Sequence, residues 1–184
     1  GKTTELRQYL DRFTASGHYL PVEVNVLTLL DSNNLAYSEV LMAMAERLLQ
    51  ELKANGIEVP DASLNPIQEW FASSTRVREM FTEAGVGAEA SVELGGGLPG
   101  LLRLFSRVTS SFKTGASTKD AMRIEIRNRF TQLADAFNAL IRSAEESLDG
   151  RRIVFLIDGT DKLRGEDTDR FFIYDAEQLL AIAT

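Results

Sequence analysis

The sequence predicts an α/β fold, a parallel sheet with helices packed against it, and three observations predict it. Arg151 to Leu163 reads RRIVFLIDGTDKL, in which five apolar residues, Ile153 to Ile157, run into Asp158, Gly159 and a second acid, Asp161. A run that short, β-rich and free of charge reads as a fully buried strand of a parallel sheet. The chain opens Gly1-Lys2-Thr3-Thr4 and passes at once into a helical pattern with Leu6, Tyr9, Leu10 and Phe13 on one face. Between these two stretches, Tyr19 to Val26 alternates as a second strand would, and the rest reads mainly as helix.

Each end of this pattern carries a chemical suggestion. Ligands of parallel sheets gather at the carboxyl ends of the strands, where Asp158 would stand. A carboxylate there can hold a Mg²⁺ ion or its waters beside bound phosphates, although an Asp-Gly dipeptide also suits an ordinary turn. Gly-Lys-Thr entering a helix is the closing half of a phosphate-binding loop, G-x-x-x-x-G-K-[ST]. Backbone N–H groups at a helix start hold phosphate oxygens; Lys2 would neutralise the β and γ phosphates, and the Thr3 hydroxyl would bind Mg²⁺. Read alone, the tripeptide is also a helix entry with a solvated lysine. Paired with the late strand ending in Asp158, it makes the chain read as part of a P-loop nucleoside triphosphatase.

Composition sets the bounds. With 184 residues, 44% of them hydrophobic, the chain can bury one good core, so a single domain over 1–184 is expected. A net charge of −7 argues against a general nucleic-acid surface. The absence of cysteine rules out disulfides and thiolate-held metals and fits a reducing cytoplasm, and the lone His18 builds no zinc site. No stretch is apolar for long enough to span a membrane.

Taken in order, a helix from Thr4 to about Ser16 ends at Gly17. In the strand that follows, Pro21 is tolerated near the start. Leu27 to Leu35 is a polar connection with Asp31, Asn33 and Asn34, and Asn25 before it and Asp31 within it are either solvated or turned to a nucleotide or substrate. Ser38 is expected to cap a long helix, Glu39 to about Ala54, with Met42 and Met44 in the core and Asn55-Gly56 as its stop. After a loop to Leu64, Asn65-Pro66 is expected to start a helix near Ile67 to Thr82 that carries Trp70 and Phe71 as packing anchors. Ala84 to Gly100 is Gly-rich and reads as an irregular insertion. Leu101 to Phe112 puts apolar residues on one helix face and Arg103, Arg107 and Lys113 on the other, which suits either core packing or a membrane or partner surface. Beyond a break at Lys113 to Thr118, one long helix is expected from Lys119 to about Leu148. Its stripe is Ile124, Phe130, Leu133, Phe137, Leu140 and Ile141, and Arg123, Arg127 and Arg129 form a solvated face with pairs such as Glu125 and Arg129. An arginine reaching a phosphate is the alternative. Asp149-Gly150 turns into the late strand; Arg164 to Asp167 is a loop, and Thr168 to Ala183 a helix with Phe171, Phe172 and Leu179 inward.

GKTT at the start, IVFLIDGTDKL late and the all-helical stretch before that late strand together resemble bacterial STAND and KAP-type P-loop ATPases, relatives of the AAA ATPases. The resemblance implies a three-layer α/β/α sandwich with an incomplete parallel sheet and a helical insertion over about 56–118. It also implies Mg-ATP binding and a slow hydrolysis that switches an assembly. Gly1, Lys2, Thr3 and Thr4 match the end of the Walker A motif, and Asp158 the Walker B acid that holds Mg²⁺ with Thr3. AAA enzymes follow that acid with a catalytic glutamate, where this chain has Gly159. A D-G-x-D pattern places the second acid at Asp161, the candidate for orienting the attacking water, with Lys2 as the catalytic cation. Asp161 in place of a glutamate, with Lys162 after it, implies slower hydrolysis. KAP proteins often insert membrane helices between the two motifs, but Arg103 and Arg107 argue against a span here.

The first half of the phosphate loop, the strand before it, a sensor strand and an arginine finger are expected outside this chain, which by itself is expected to bind nucleotide poorly. The implied role is a cytoplasmic switch in prokaryotic signalling or antiviral defence, self-assembling or fused to an effector. The alternatives are a non-catalytic scaffold of the same fold and a nucleic-acid-linked motor, the latter disfavoured by the acidic balance.

Overall fold

Among the described residues two parallel strands form the sheet, β1 (Tyr19–Asn25) and β2 (Arg152–Asp158), in register from Tyr19 opposite Arg152 to Asn25 opposite Asp158. The computed structural model describes residues 2–31, 35–75, 96–113, 118–162 and 169–182. Strand period 2 sends Leu20, Val22 and Val24 of β1 to one face, all of them buried, and the register puts Ile153, Phe155 and Ile157 of β2 on the same side. The expectation of a fully buried β2 is corrected: Ile153 and Leu156 are buried, but Val154, Phe155 and Ile157 are only half-buried. Among the described residues β2 has a neighbouring strand on one side only, so its cover is incomplete.

Ahead of the sheet stands helix α1 (Lys2–Ser16), whose half-buried Leu6, Leu10 and Phe13 recur at one-face spacing. The polar connection expected after β1 contains a short helix, α2 (Val26–Leu29). Helix α3 (Tyr37–Ala54) is the hub of the core. Leu41, Met42, Ala43, Met44, Ala45, Leu48 and Leu49 are all buried, as befits a helix apolar around most of its girth. Asn55 and Gly56, the latter at φ 65°, end it as expected. Its start differs, however, because Ser38 is not the cap. Ala36 is the N-cap residue, and the Glu39 carboxylate reaches back to the Ala36 N–H.

Helix α4 (Asp61–Ser73) begins earlier than Asn65-Pro66, so Pro66 lies inside it. Pro66 cannot donate to the Ala62 carbonyl, and both residues are exposed, so water can serve that oxygen. Helix α5 (Gly97–Lys113) buries Leu101, Leu104, Phe105, Val108 and Phe112 against α3 and α4, with Phe105 edge-on to Phe71 at 5.1 Å between centroids. Each such side chain contributes about 1.5–3 kcal/mol on burial, which decides for core packing over a membrane-surface role. Among the described residues no helix is long and apolar enough to cross a membrane.

The single helix expected from Lys119 to Leu148 is two, α6 (Thr118–Asn128) and α7 (Phe130–Glu146). Arg129 breaks the run with φ −121° and ψ 24°. Its carbonyl accepts from the Trp70 indole N–H at 3.4 Å, and its guanidinium lies over the Trp70 ring at 5.0 Å. The break shifts the phase of the stripe. Met122 and Ile126 are buried, whereas Ile124, expected inward, is 55% exposed. After β2 come a 3₁₀ turn (Thr160–Lys162), a π-helical turn (Phe171–Asp175) and a short helix, α8 (Ala176–Leu180). Phe171 is buried and Phe172 is exposed, contrary to expectation, because neighbours on a helix point about 100° apart. The segments 76–95, 114–117 and 163–168, which include most of the Gly-rich insertion and the Arg164 to Asp167 loop, lie outside the described residues.

Candidate functional site

The carboxyl edge of the sheet gathers the polar residues on which a site can be built. Parallel register ends both strands at one level, with Asn25 opposite Asp158. Asn25 is occupied: its side-chain oxygen accepts from the N–H groups of Leu27 (3.1 Å) and Thr28 (3.2 Å), capping α2. Asp31 is occupied as well, by the Lys119 ammonium at 3.7 Å. Neither residue is left as a solvated loop side chain facing a nucleotide.

Lys119 belongs to a buried ionic group that sequence reasoning missed. It reaches Glu39 at 3.8 Å, while Arg123 Nε donates to Glu39 at 2.6 Å, and Glu39 also accepts from Ser38 Oγ at 2.9 Å and Ala36 N at 3.1 Å. Lys119 and Arg123 stand four apart on α6, so they project together, and that spacing was the available signal. The solvated face expected for Arg123 is corrected: its side chain is 13% exposed and bound to Glu39. Arg129 does hold the expected Glu125, at 3.3 Å.

Asp158 is different. It is half-buried, one carboxylate oxygen accepts from the Gly159 N–H at 2.8 Å, and the carboxylate has no other partner among the described residues. Gly159 fixes this turn: its φ is +88°, and a Cβ on it would stand 2.8 Å from Leu27 Cγ. The chain then enters the 3₁₀ turn that carries Asp161, exposed and three residues beyond Asp158. The structure therefore brings Asp158, Gly159 and Asp161 to one edge.

The other half of the predicted site sits in the first turn of α1. Lys2, Thr3 and Thr4 are helical there, and Thr4 is exposed; Gly1 and the side chains of Lys2 and Thr3 lie outside the described residues. After α1 the chain turns through Gly17 and His18 into β1, and α1 packs against both strands. No protein-family model, curated protein or solved structure matches the chain.

Among the described residues no three Asp, Glu, His or Cys side chains are grouped to hold a metal by themselves. A lone carboxylate with one oxygen that no described residue engages is compatible with Mg²⁺, which keeps several waters and is usually bound through one or two carboxylates plus phosphates. It does not suit Zn²⁺, which takes several nitrogen or sulfur ligands.

Proposed function

We propose that the chain is the nucleotide-binding part of a P-loop ATPase that works as a molecular switch. The observation that carries this reading is the state of Asp158. Where Asn25, Asp31 and Glu39 are engaged by protein groups, its half-buried carboxylate takes a single backbone hydrogen bond among the described residues. A carboxylate with spare acceptor capacity beside solvent can take a cation or its waters. The first turn of α1 supplies N–H groups for phosphate oxygens, with Lys2 as their counter-charge. Asp158 and the Thr3 hydroxyl would hold Mg²⁺, whose chemistry is to neutralise charge on the phosphates. Asp161, exposed beyond Asp158, would orient the water. ATP binding and hydrolysis would then control self-assembly or an attached effector.

The test is mant-ATP titration and phosphate release in the protein that contains this chain, with Lys2→Ala and Asp158→Ala beside wild type. Wild type should bind and slowly hydrolyse Mg-ATP; each variant should lose at least about tenfold in affinity or turnover, the scale of one charge-assisted contact. Equal behaviour of all three proteins would refute the proposal. Complete absence of binding in wild type would favour a scaffold of the same architecture.

A further inference from the structure

Away from the sheet edge, helices α4 and α7 leave a groove of about 490 Å³ between them. The helices run antiparallel: Ser63 of α4 bonds Ser143 of α7 at 2.8 Å, while Trp70 meets Arg129 just before the start of α7. The groove is lined from α4 by Pro66, Glu69, Trp70 and Ser73, and from α7 by Gln132, Asp135, Ala136 and Ala139. Both sets follow the spacing i, i+3, i+4, i+7, so each is one continuous strip of its helix. Ala136 and Ala139 are too small to fill the space opposite Pro66 and Trp70, and this is why the groove exists.

Its polar groups are unequal. Arg129, at one end, is committed to Glu125, Gln132, Ser73 Oγ and the Trp70 carbonyl. Glu69 and Asp135 are exposed, occupy the middle level on opposite walls, and have no ion-pair partner among the described residues. An apolar floor of proline and alanine between two carboxylates that no described cation neutralises is complementary to an apolar side chain flanked by cations. From Pro66 to Ser73 a helix rises about 10 Å, the length of about three extended residues.

We propose that this groove docks an extended peptide segment of a partner protein that presents a lysine or arginine beside an aliphatic side chain. The floor takes the aliphatic group, and Glu69 and Asp135 take the basic ones. The site is separate from the nucleotide proposal and uses none of Lys2, Asp158 or Asp161.

The test is fluorescence anisotropy at low salt with three labelled heptapeptides, Gly-Ser-Lys-Leu-Lys-Ser-Gly and its analogues with Glu-Leu-Glu or Lys-Ser-Lys at the centre. The Lys-Leu-Lys peptide should bind most tightly. Glu69→Gln with Asp135→Asn should weaken it about tenfold, the sum of two exposed charge pairs. Ala139→Leu, which fills the groove, should weaken it equally while circular dichroism stays unchanged. Equal affinity for the three peptides, unaltered binding by the variants, or no binding overturns the proposal. So does self-association of the chain that the charge-removing variant abolishes, since the groove would then be an interface between copies.

Discussion

Arg123 is where the packing depends most on one charge, and Arg123→Met tests that directly. The Glu39 side chain is 1% exposed and that of Arg123 13%, so the pair lies largely out of water. Methionine keeps the apolar stem in place while removing the guanidinium from the carboxylate. Losing one partner of a buried pair costs about 3–5 kcal/mol, because the other charge is stranded. Here Lys119 remains 3.8 Å away, and Ser38 Oγ and Ala36 N still donate, so the lower end applies, about 3 kcal/mol. With a urea slope of about 2 kcal/mol/M, the unfolding midpoint should fall by about 1.5 M. The assay is urea unfolding followed by far-UV circular dichroism and by the fluorescence of Trp70, the single tryptophan. Adding Glu39→Gln removes the stranded charge, so the double variant should be more stable than the sum of the two single losses predicts, by about 2 kcal/mol. Strict additivity, or a midpoint shift below about 0.3 M for Arg123→Met, would refute the reasoning.

Two further outcomes follow from geometry. Gly159→Ala combines a φ of +88° with a Cβ 2.8 Å from Leu27 Cγ; it should cost about 2–3 kcal/mol and lower the melting temperature by about 5–10 °C in a thermal scan. Phe105→Ala empties a fully buried site beside Phe71 and should cost about 3–5 kcal/mol, whereas Ile124→Ser, on a side chain 55% exposed, should stay within about 0.5 kcal/mol in the same urea assay.

What the sequence made legible is what rests on local periodicity. The alternation at Tyr19 to Val26, the apolar run at Ile153 to Ile157 and the hydrophobic face of Leu101 to Phe112 all became the expected elements, because strand and helix spacing fix which face is buried. The Asn55-Gly56 stop was legible for the same local reason. What failed depended on partners distant in sequence. Arg129 interrupts a helix whose local pattern has no Gly or Pro to warn of it, and the side chain that engages its carbonyl, Trp70, lies 59 residues earlier. Glu39 reads as a first-turn acid, but its main partner is 84 residues away. Ile124 fits the stripe only if the helix is unbroken. At the candidate site, the position of Asp158 was legible from the apolar run before it; the engagement of Asn25 and Asp31 was not, because one caps a helix the sequence hid and the other meets a lysine on α6.

The unequal treatment of the edge acids has a consequence for stability. If Asp31 and Glu39 serve the fold and Asp158 serves a ligand, neutralising them should have opposite effects. Asp158→Asn keeps an oxygen to accept the Gly159 N–H and removes a half-buried charge whose one partner among the described residues is that hydrogen bond. The folded state should therefore be unchanged or more stable by up to about 1 kcal/mol, as at functional positions that trade stability for activity. Glu39→Gln strips the ion pairs from Arg123 and Lys119 and should destabilise by about 3 kcal/mol. Urea midpoints of the two variants, measured side by side without nucleotide, decide the matter. A loss above about 1 kcal/mol for Asp158→Asn would make Asp158 a structural residue of the strand end, and the argument for a cation at that edge would lose its support.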